Sequence, residues 1–214
     1  MQTIYFISGL GADETVFSRL QLPGYNRRYL PWLMPEKNES IEHYAARMAK
    51  AIDTPNPIIA GLSFGGMMSI EIARQLPVQK VILISSVSQY TQLPLWMRLA
   101  GWSRVNKIIP MRPYHFLEQI ENYNMGVETP DDIEILRRYR QQVQPQYLQW
   151  AINEILRWHN NWLPASLYHI HGTNDRIFPV QKLHPTHLVQ GGGHFMVYNR
   201  AAEVSSILQA ILAA

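Results

Sequence analysis

Gly61-Leu62-Ser63-Phe64-Gly65 lies between two apolar stretches of different period. Ile58 to Ala60 is short and continuous, as a buried strand would be, whereas Met67 to Leu76 is apolar at helical spacing and closed by Pro77. The G-x-S-x-G pentapeptide alone is expected by chance in about one chain of this size in twenty. Between a strand and a helix it predicts a sharp turn that holds Ser63 in a strained backbone conformation. Only small neighbours fit such a turn, and Gly61, Gly65 and Gly66 supply them.

The same alternation continues along the chain. Thr3 to Ser8 is a strand pattern that stops at Ser8-Gly9-Leu10-Gly11. A helix is expected over Thr15 to Leu20 and a short strand over Arg27 to Leu33, although Pro31 interrupts the latter. Ser40 is a suitable N-cap for a helix over Ile41 to Asp53, with Ile41, Tyr44, Ala45, Met48 and Ile52 on one face. Lys80 to Ser85 is a fourth strand pattern, apolar enough to be covered on both faces. Ser166 to His171 and Thr186 to Val189 are the fifth and sixth, and Ala201 to Leu212 is a closing helix. Strands alternating with helices imply right-handed crossovers and a mostly parallel sheet with helices on both faces.

Residues 88 to 163 break this rhythm. Helical patterns dominate, as over Asp131 to Val143 and Gln146 to His159. Five of the six tryptophans fall here: Trp96, Trp102, Trp150, Trp158 and Trp162. The expected organisation is a core of residues 1–87 and 164–214 with a helical insertion of residues 88–163. The insertion leaves at the carboxyl end of the fourth strand, the edge where open α/β sheets bind ligands. Leu93, Leu95, Trp96, Met97, Leu99, Trp102 and Ile108 cluster near its start. Trp96 and Trp102 are therefore expected to line a substrate pocket, and the tryptophans as a group to serve also as the insertion's own core.

A serine is a weak nucleophile unless a base accepts its proton. On this architecture an acid and then a histidine should follow the serine in sequence. Asp175 lies just past the fifth strand, in His171-Gly172-Thr173-Asn174-Asp175, and His194 follows the sixth, after Gly191-Gly192-Gly193. The alternative position for an acid, after the fourth strand, reads Ser85-Ser86-Val87-Ser88 and holds no carboxylate. Two backbone N–H groups would be needed for a developing oxyanion. Phe64, directly after Ser63, is one candidate donor. Leu10, flanked by glycines that let its amide turn inward, is the other.

These pieces together resemble the α/β-hydrolase fold family: Ser8-Gly9-Leu10-Gly11, Gly61-Leu62-Ser63-Phe64-Gly65-Gly66, Gly172-Thr173-Asn174-Asp175 with Pro179, and Gly193-His194. They span nearly the whole chain in the family's order, and the insertion falls where the family carries its cap or lid. The resemblance implies Ser63, Asp175 and His194 as a catalytic triad, with Leu10 and Phe64 as oxyanion donors. Two features depart from the family pattern. The chain begins directly at the strand before the oxyanion loop, so the family's first two strands are expected to be missing and the sheet to have about six strands. The loop also carries Ser8-Gly9 where many relatives have His-Gly.

The expected activity is a serine hydrolase cleaving an ester or thioester of a small, mostly apolar acyl group through an acyl-enzyme on Ser63. Two other readings stay open: a C–C bond hydrolase or perhydrolase on the same residues, and a non-catalytic ligand-binding module. No cofactor is expected, because no G-x-G-x-x-G or P-loop is present. No metal site is expected either. The chain has no cysteine, His169 and His171 lack a third ligand, and His43, His115, His159, His184 and His187 show no ligand spacing. Arg137-Arg138-Tyr139-Arg140 could dock an acyl carrier protein or a coenzyme A moiety, but Glu134 stands four residues before Arg138, in the orientation of an intrahelical pair.

A formal charge of +3 does not suggest a nucleic-acid partner. No apolar run approaches the ~18 residues of a membrane span. The first residues read as a strand and not a signal peptide, which makes a cytoplasmic location the expectation.

Overall fold

The computed structural model describes residues 1–103 and 118–214. Ile108 and His115 lie outside the described residues. One six-stranded sheet organises the chain: β1 (Gln2–Ile7), β2 (Tyr25–Tyr29), β3 (Ile58–Leu62), β4 (Lys80–Ile84), β5 (Leu167–Gly172) and β6 (His187–Val189). The spatial order is β2-β1-β3-β4-β5-β6, and every pair is parallel. Eight α-helices are found among the described residues: α1 (Ile41–Ala49), α2 (Phe64–Ala73), α3 (Leu95–Ser103), α4 (Glu118–Met125), α5 (Pro130–Gln142), α6 (Pro145–Arg157), α7 (Met196–Asn199) and α8 (Ala201–Ala213).

Strand alternation divides the core in two. Tyr5, Ile7, Ile59, Val81 and Leu83 face one side and pack with residues of α1, α2 and α6. Ile4, Phe6, Ile58, Ala60, Ile82, Ile84 and Ile170 face the other and pack with α5, α7 and α8. β3 and β4 are buried at every position, which accounts for their unbroken apolar character. The chain runs outward from β1 to β2 and then returns to the other side of β1 as β3. The resulting switch point lies between the carboxyl ends of β1 and β3, where open sheets leave a crevice.

Three local expectations are revised. The segment after β1 forms only a 3-10 turn over Glu14–Phe17, capped by Asp13, whose Oδ1 accepts from the Thr15 N–H at 3.0 Å. The second strand begins at Tyr25, and its pairing ends where the Leu30 N–H meets the Phe6 carbonyl at 2.9 Å, just before Pro31. The intrahelical partner of Glu134 is Arg137 (3.8 Å). Arg138 instead reaches Asp13 (3.5 Å) and Thr15 Oγ1, tying α5 to the segment after β1.

The described buried residues of the insertion join the two clusters of the sheet. Ile135, Leu136 and Tyr139 of α5 belong to one face. Tyr147, Trp150, Ala151 and Leu156 of α6 belong to the other, with Trp158 just beyond the helix. Trp150 Nε1 donates to the Glu39 carbonyl (2.8 Å), and Trp158 Nε1 donates to Glu71 Oε1 of α2 (2.7 Å). These indoles therefore anchor the insertion to the sheet layers. Among the described residues, no helix is long and apolar enough to cross a membrane.

Candidate active site

Ser63 sits between β3 and α2 with φ 53° and ψ −118°, a conformation that a non-glycine residue adopts only under strain. Several contacts hold it there. Its N–H donates to the Ile84 carbonyl (2.9 Å), and its own carbonyl accepts from the Gly66 N–H (2.9 Å) and Ser86 Oγ (2.6 Å). The turn is closed so tightly that two glycines are obligatory. A Cβ on Gly61 would lie 2.2 Å from the Gly65 carbonyl oxygen. One on Gly65 would lie 2.3 Å from the Ile7 oxygen. Although Ser63 occupies the N-cap of α2, its side chain makes no capping bond, and Oγ is left for other contacts.

Ser63 Oγ is 2.9 Å from His194 Nε2, and His194 Nδ1 is 2.8 Å from Asp175 Oδ2. A carboxylate only accepts, so Nδ1 carries the proton and Nε2 presents its lone pair to the serine hydroxyl. Asp175 is oriented through its other oxygen, since Oδ1 accepts from the Ile177 and Phe178 N–H groups, each at 2.9 Å. Burial pushes the Asp175 carboxyl upward. The His194 charge and hydrogen bond, His171 and the Phe178 amide outweigh it and hold the group below the ordinary carboxylate value. The residues expected to meet, Ser63, Asp175 and His194, thus form one hydrogen-bonded chain.

The loop after β1 lies against the serine. A Cβ built on Gly9 would be 3.6 Å from Ser63 Cβ. Gly11 has φ +72°, which favours glycine. Among the described residues, neither the Leu10 nor the Phe64 N–H donates to a protein acceptor. The loop is pinned from within and from the segment that follows β2. Ser8 Oγ donates to the Ala12 carbonyl (2.6 Å), and Trp32 Nε1 approaches both Ser8 Oγ (3.0 Å) and the Gly9 carbonyl (3.1 Å). Trp32 also stacks on Phe64, with ring centroids 5.1 Å apart. Sequence reasoning missed this residue. It is the one tryptophan outside the insertion, and no motif marks it.

The insertion touches both sides of the site. The Met125 carbonyl accepts from the Phe195 N–H (2.9 Å), and Gly126 packs so closely on Gly193 that a Cβ on it would lie 2.9 Å from Gly193 Cα. Val143 covers Gly11. Beside the loop after β1 is a cavity of about 690 Å³, whose lining joins the apolar Phe6, Phe17, Leu30, Trp32, Leu33, Val143 and Tyr147 to the charged Asp13, Glu14, Arg27 and Arg28; Ser63 and His194 are not among its lining residues.

Trp96 and Trp102, expected in the pocket, are 64% and 86% exposed on α3 and line neither this cavity nor the larger polar one bordered by α1 and α6. The structure does not bring them to the site. The side of α3 that packs inward is the one bearing Met97 and Gly101, which leaves these indoles outside.

Glu36, Glu39 and His43 are the one described group with three potential ligand atoms within 4.8 Å of one another. Arg47 already pairs with Glu39 (2.7 Å) and Glu36 (3.4 Å), so both carboxylates of the cluster have a cationic partner within the chain. The basic run of α5 is similarly engaged. Arg137 meets Glu118 at 2.9 Å, and Arg140 meets Glu118 at 3.1 Å and Glu121 at 3.4 Å.

Behind Asp175, His169 and His171 are buried on β5. Burial and the neighbouring His171 bring His169 down to about 3, and burial likewise lowers His171. Both rings are therefore held neutral where the unfolded chain would be protonated. Their contribution to stability is complete above the ordinary histidine value of about 6.5 and is lost as pH falls toward the folded values. The melting temperature should decline steadily from about pH 7 to pH 4, and His169→Phe should flatten that decline. A wild-type melting temperature constant over this range would contradict the assignment.

Comparison with known proteins agrees with the architecture. Residues 3–207 match the model described as "Alpha/beta hydrolase family". A thermophilic esterase from Thermogutta terrifontis superposes with a TM-score of 0.79 at 15% identity, covering 100% of this chain and 90% of that one. A bromoperoxidase from Bacillus anthracis superposes with a TM-score of 0.72 at 14% identity, covering 100% and 92%. A pimeloyl-[acyl-carrier protein] methyl ester esterase from Nitrosospira multiformis is 33% identical over 75 residues. That match spans 34% of this chain and 28% of the relative, less than a third of the curated protein's length.

Proposed function

This chain belongs to the alpha/beta hydrolase family, and from that premise we propose that it is a serine hydrolase acting on an ester or thioester of a small, mostly apolar acyl group. The observation that carries the reading is the continuous hydrogen-bonded chain from Asp175 through His194 to Ser63 Oγ, with the serine held at φ 53°. Ser63 attacks the acyl carbonyl while His194 Nε2 takes its proton. The oxyanion is assigned to the Leu10 and Phe64 N–H groups, which donate to no protein acceptor among the described residues. His194 then returns the proton to the leaving alcohol or thiol, and the carbonyl re-forms as an acyl ester on Ser63. Water, deprotonated by the same imidazole, attacks that ester and releases the acid and the free serine. Asp175 keeps the imidazole in the Nδ1–H form and stabilises its cation during both steps.

Residues 88–163 act in this reading as the cap. Selection of the acyl chain is assigned to the cavity beside the oxyanion loop, not to Trp96 and Trp102. Each methylene withdrawn from water contributes about 0.8 kcal/mol, so two extra methylenes should raise kcat/KM by roughly 10-fold until the space is filled. The polar atoms of the acyl donor, whether a simple alcohol ester or a thioester of a coenzyme A moiety or acyl carrier protein, would leave with the alcohol or thiol. The relative named above is a methyl ester esterase of pimeloyl-[acyl-carrier protein], which suits the ester-cleaving part of this reading.

The test is a p-nitrophenyl ester series from acetate to decanoate, together with labelling by a fluorophosphonate. Labelling at Ser63 and a maximum at short or medium chain length are expected. Leu33→Trp should narrow the cavity and move that maximum toward acetate, whereas Trp96→Ala should leave the series unchanged. Absence of both labelling and ester turnover would refute the hydrolase reading. A series that shifts with Trp96→Ala and not with Leu33→Trp would return chain selection to α3.

A further inference from the structure

Asp175 is approached from two sides. His194 Nδ1 reaches Oδ2 at 2.8 Å, and His171 Nε2 lies 3.4 Å from the same oxygen. His171 Nε2 is also 2.8 Å from the Phe178 carbonyl, and His171 Nδ1 is 3.1 Å from His169 Nε2. The Phe178 oxygen and the carboxylate only accept, so His171 must carry its proton on Nε2, and Nδ1 must accept from His169. His171 is fully buried, out of reach of bulk solvent.

The two rings have three neighbours to satisfy. Phe178 and Asp175 lie at one end of the pair. In the middle the two rings meet nearly perpendicular, with His169 Nε2 3.1 Å from His171 Nδ1. The Ser86 backbone lies beside the other end, against His169. Two neutral imidazoles hold only two ring protons. The end facing Phe178 and Asp175 has the strongest claim on one of them, because Nε2 stands 2.8 Å from the Phe178 carbonyl and the Asp175 charge, 3.4 Å away, further favours an N–H there. His169 spends the other on His171 Nδ1. The pair thereby locks His171 as a donor toward the Asp175 loop. The titratable groups acting on His171 are Asp175, His194 and His169.

We propose that His171 is a positioning residue for the Asp175–His194 couple, held in its Nε2–H form by His169, and that the positive end of its Nε2–H dipole, bonded to the Phe178 carbonyl and 3.4 Å from Oδ2, offsets part of the Oδ2 charge that His194 would otherwise face. The inference deepens the hydrolase reading and rests on it for its kinetic consequence. Without this donor, Oδ2 directs more negative charge at His194 and holds the imidazolium more firmly. The rise of kcat/KM with pH, which marks loss of the proton from the base, should then move to higher pH.

Two measurements test this. In the wild-type protein, long-range ¹⁵N–¹H spectra of the imidazoles at neutral pH should show His171 as the neutral Nε2–H tautomer. The Nδ1–H tautomer would overturn the proposal. In the second measurement, the rate of fluorophosphonate labelling at Ser63 is followed against pH for wild type, His171→Leu and His171→Gln. The leucine variant should move the rising limb to higher pH by roughly half a unit, the scale of removing one neighbouring N–H dipole from a carboxylate. Glutamine, whose amide can donate from the Nε2 position, should restore most of the wild-type profile. Wild-type profiles in both variants, with only lower melting temperatures, would reduce His171 to a packing residue. If His171→Leu does not fold, the tautomer and the glutamine profile decide. A wild-type protein that does not label would remove the nucleophile reading, while the tautomer would still decide whether the His169–His171 lock exists.

Discussion

Ser63→Ala should lower turnover by roughly 10³-fold or more while leaving the fold in place, and His194→Ala should do the same to activity. For the serine, the structural cost is small. Its Oγ bonds only to His194 among the described residues, it caps nothing, and alanine must adopt the same strained φ that serine already adopts. His194 differs because it is buried and its Nδ1–H satisfies Asp175 Oδ2. Removing the ring takes away the one short hydrogen bond to a buried carboxylate oxygen, at a cost of at least about 1–3 kcal/mol. His194→Gln separates the two effects, because an amide can still donate to Asp175 but cannot act as a base. Asp175→Asn should cost as much as the other two or less. The asparagine oxygen would stay with the Ile177 and Phe178 amides, its NH₂ would face His194 Nδ1, and the imidazole would be forced into the tautomer that cannot accept from Ser63. Single-turnover kinetics and urea melts of the four variants check this. Wild-type turnover in Ser63→Ala or His194→Gln would exclude the proposed mechanism.

Gly65→Ala should destabilise the protein by more than about 3 kcal/mol, beyond the usual range for an added methyl in a packed core. Its Cβ would stand 2.3 Å from the Ile7 oxygen and 2.4 Å from the Ser8 oxygen. Both are backbone atoms at the end of a central strand, so neither can swing aside as a side-chain tip would. The first turn of α2 must therefore back away from β1. In the proposed mechanism that movement also displaces the Phe64 N–H assigned to the oxyanion, so activity should fall beyond what the loss of folded protein explains. Gly24→Ala is the control. Gly24 has φ +86° but nothing within 4 Å of its Cβ position, so only backbone strain of about 1 kcal/mol is at stake. Equal denaturation midpoints for the two variants would show that the close approach of α2 to β1 has been overestimated.

Much of the site was legible in the chain because its signals are local. A buried strand, three small residues around a serine and an apolar helix are neighbours in sequence, and sterics alone demand them in that order. The strand and helix periods are equally local, which is why β3, β4, α1, α5, α6 and α8 fall within a few residues of where the pattern puts them. Asp175 and His194 could be chosen because parallel strands deliver their following loops to one edge of the sheet.

What the pattern could not supply depends on contacts between distant segments. Trp32 reaches the loop after β1 only because β2 pairs beside β1. Arg138 finds Asp13 and not Glu134 because α5 packs over the turn that follows β1. Trp96 and Trp102 share their residue type with Trp150 and Trp158, yet the first pair is exposed and the second buried, since only the second faces α1 and α2. His169 and His171 share a strand face that the sequence reveals. That their protons are spent on each other and on the Asp175 loop is decided by burial, which removes bulk water as a partner and leaves each ring nitrogen the neighbours that the fold provides.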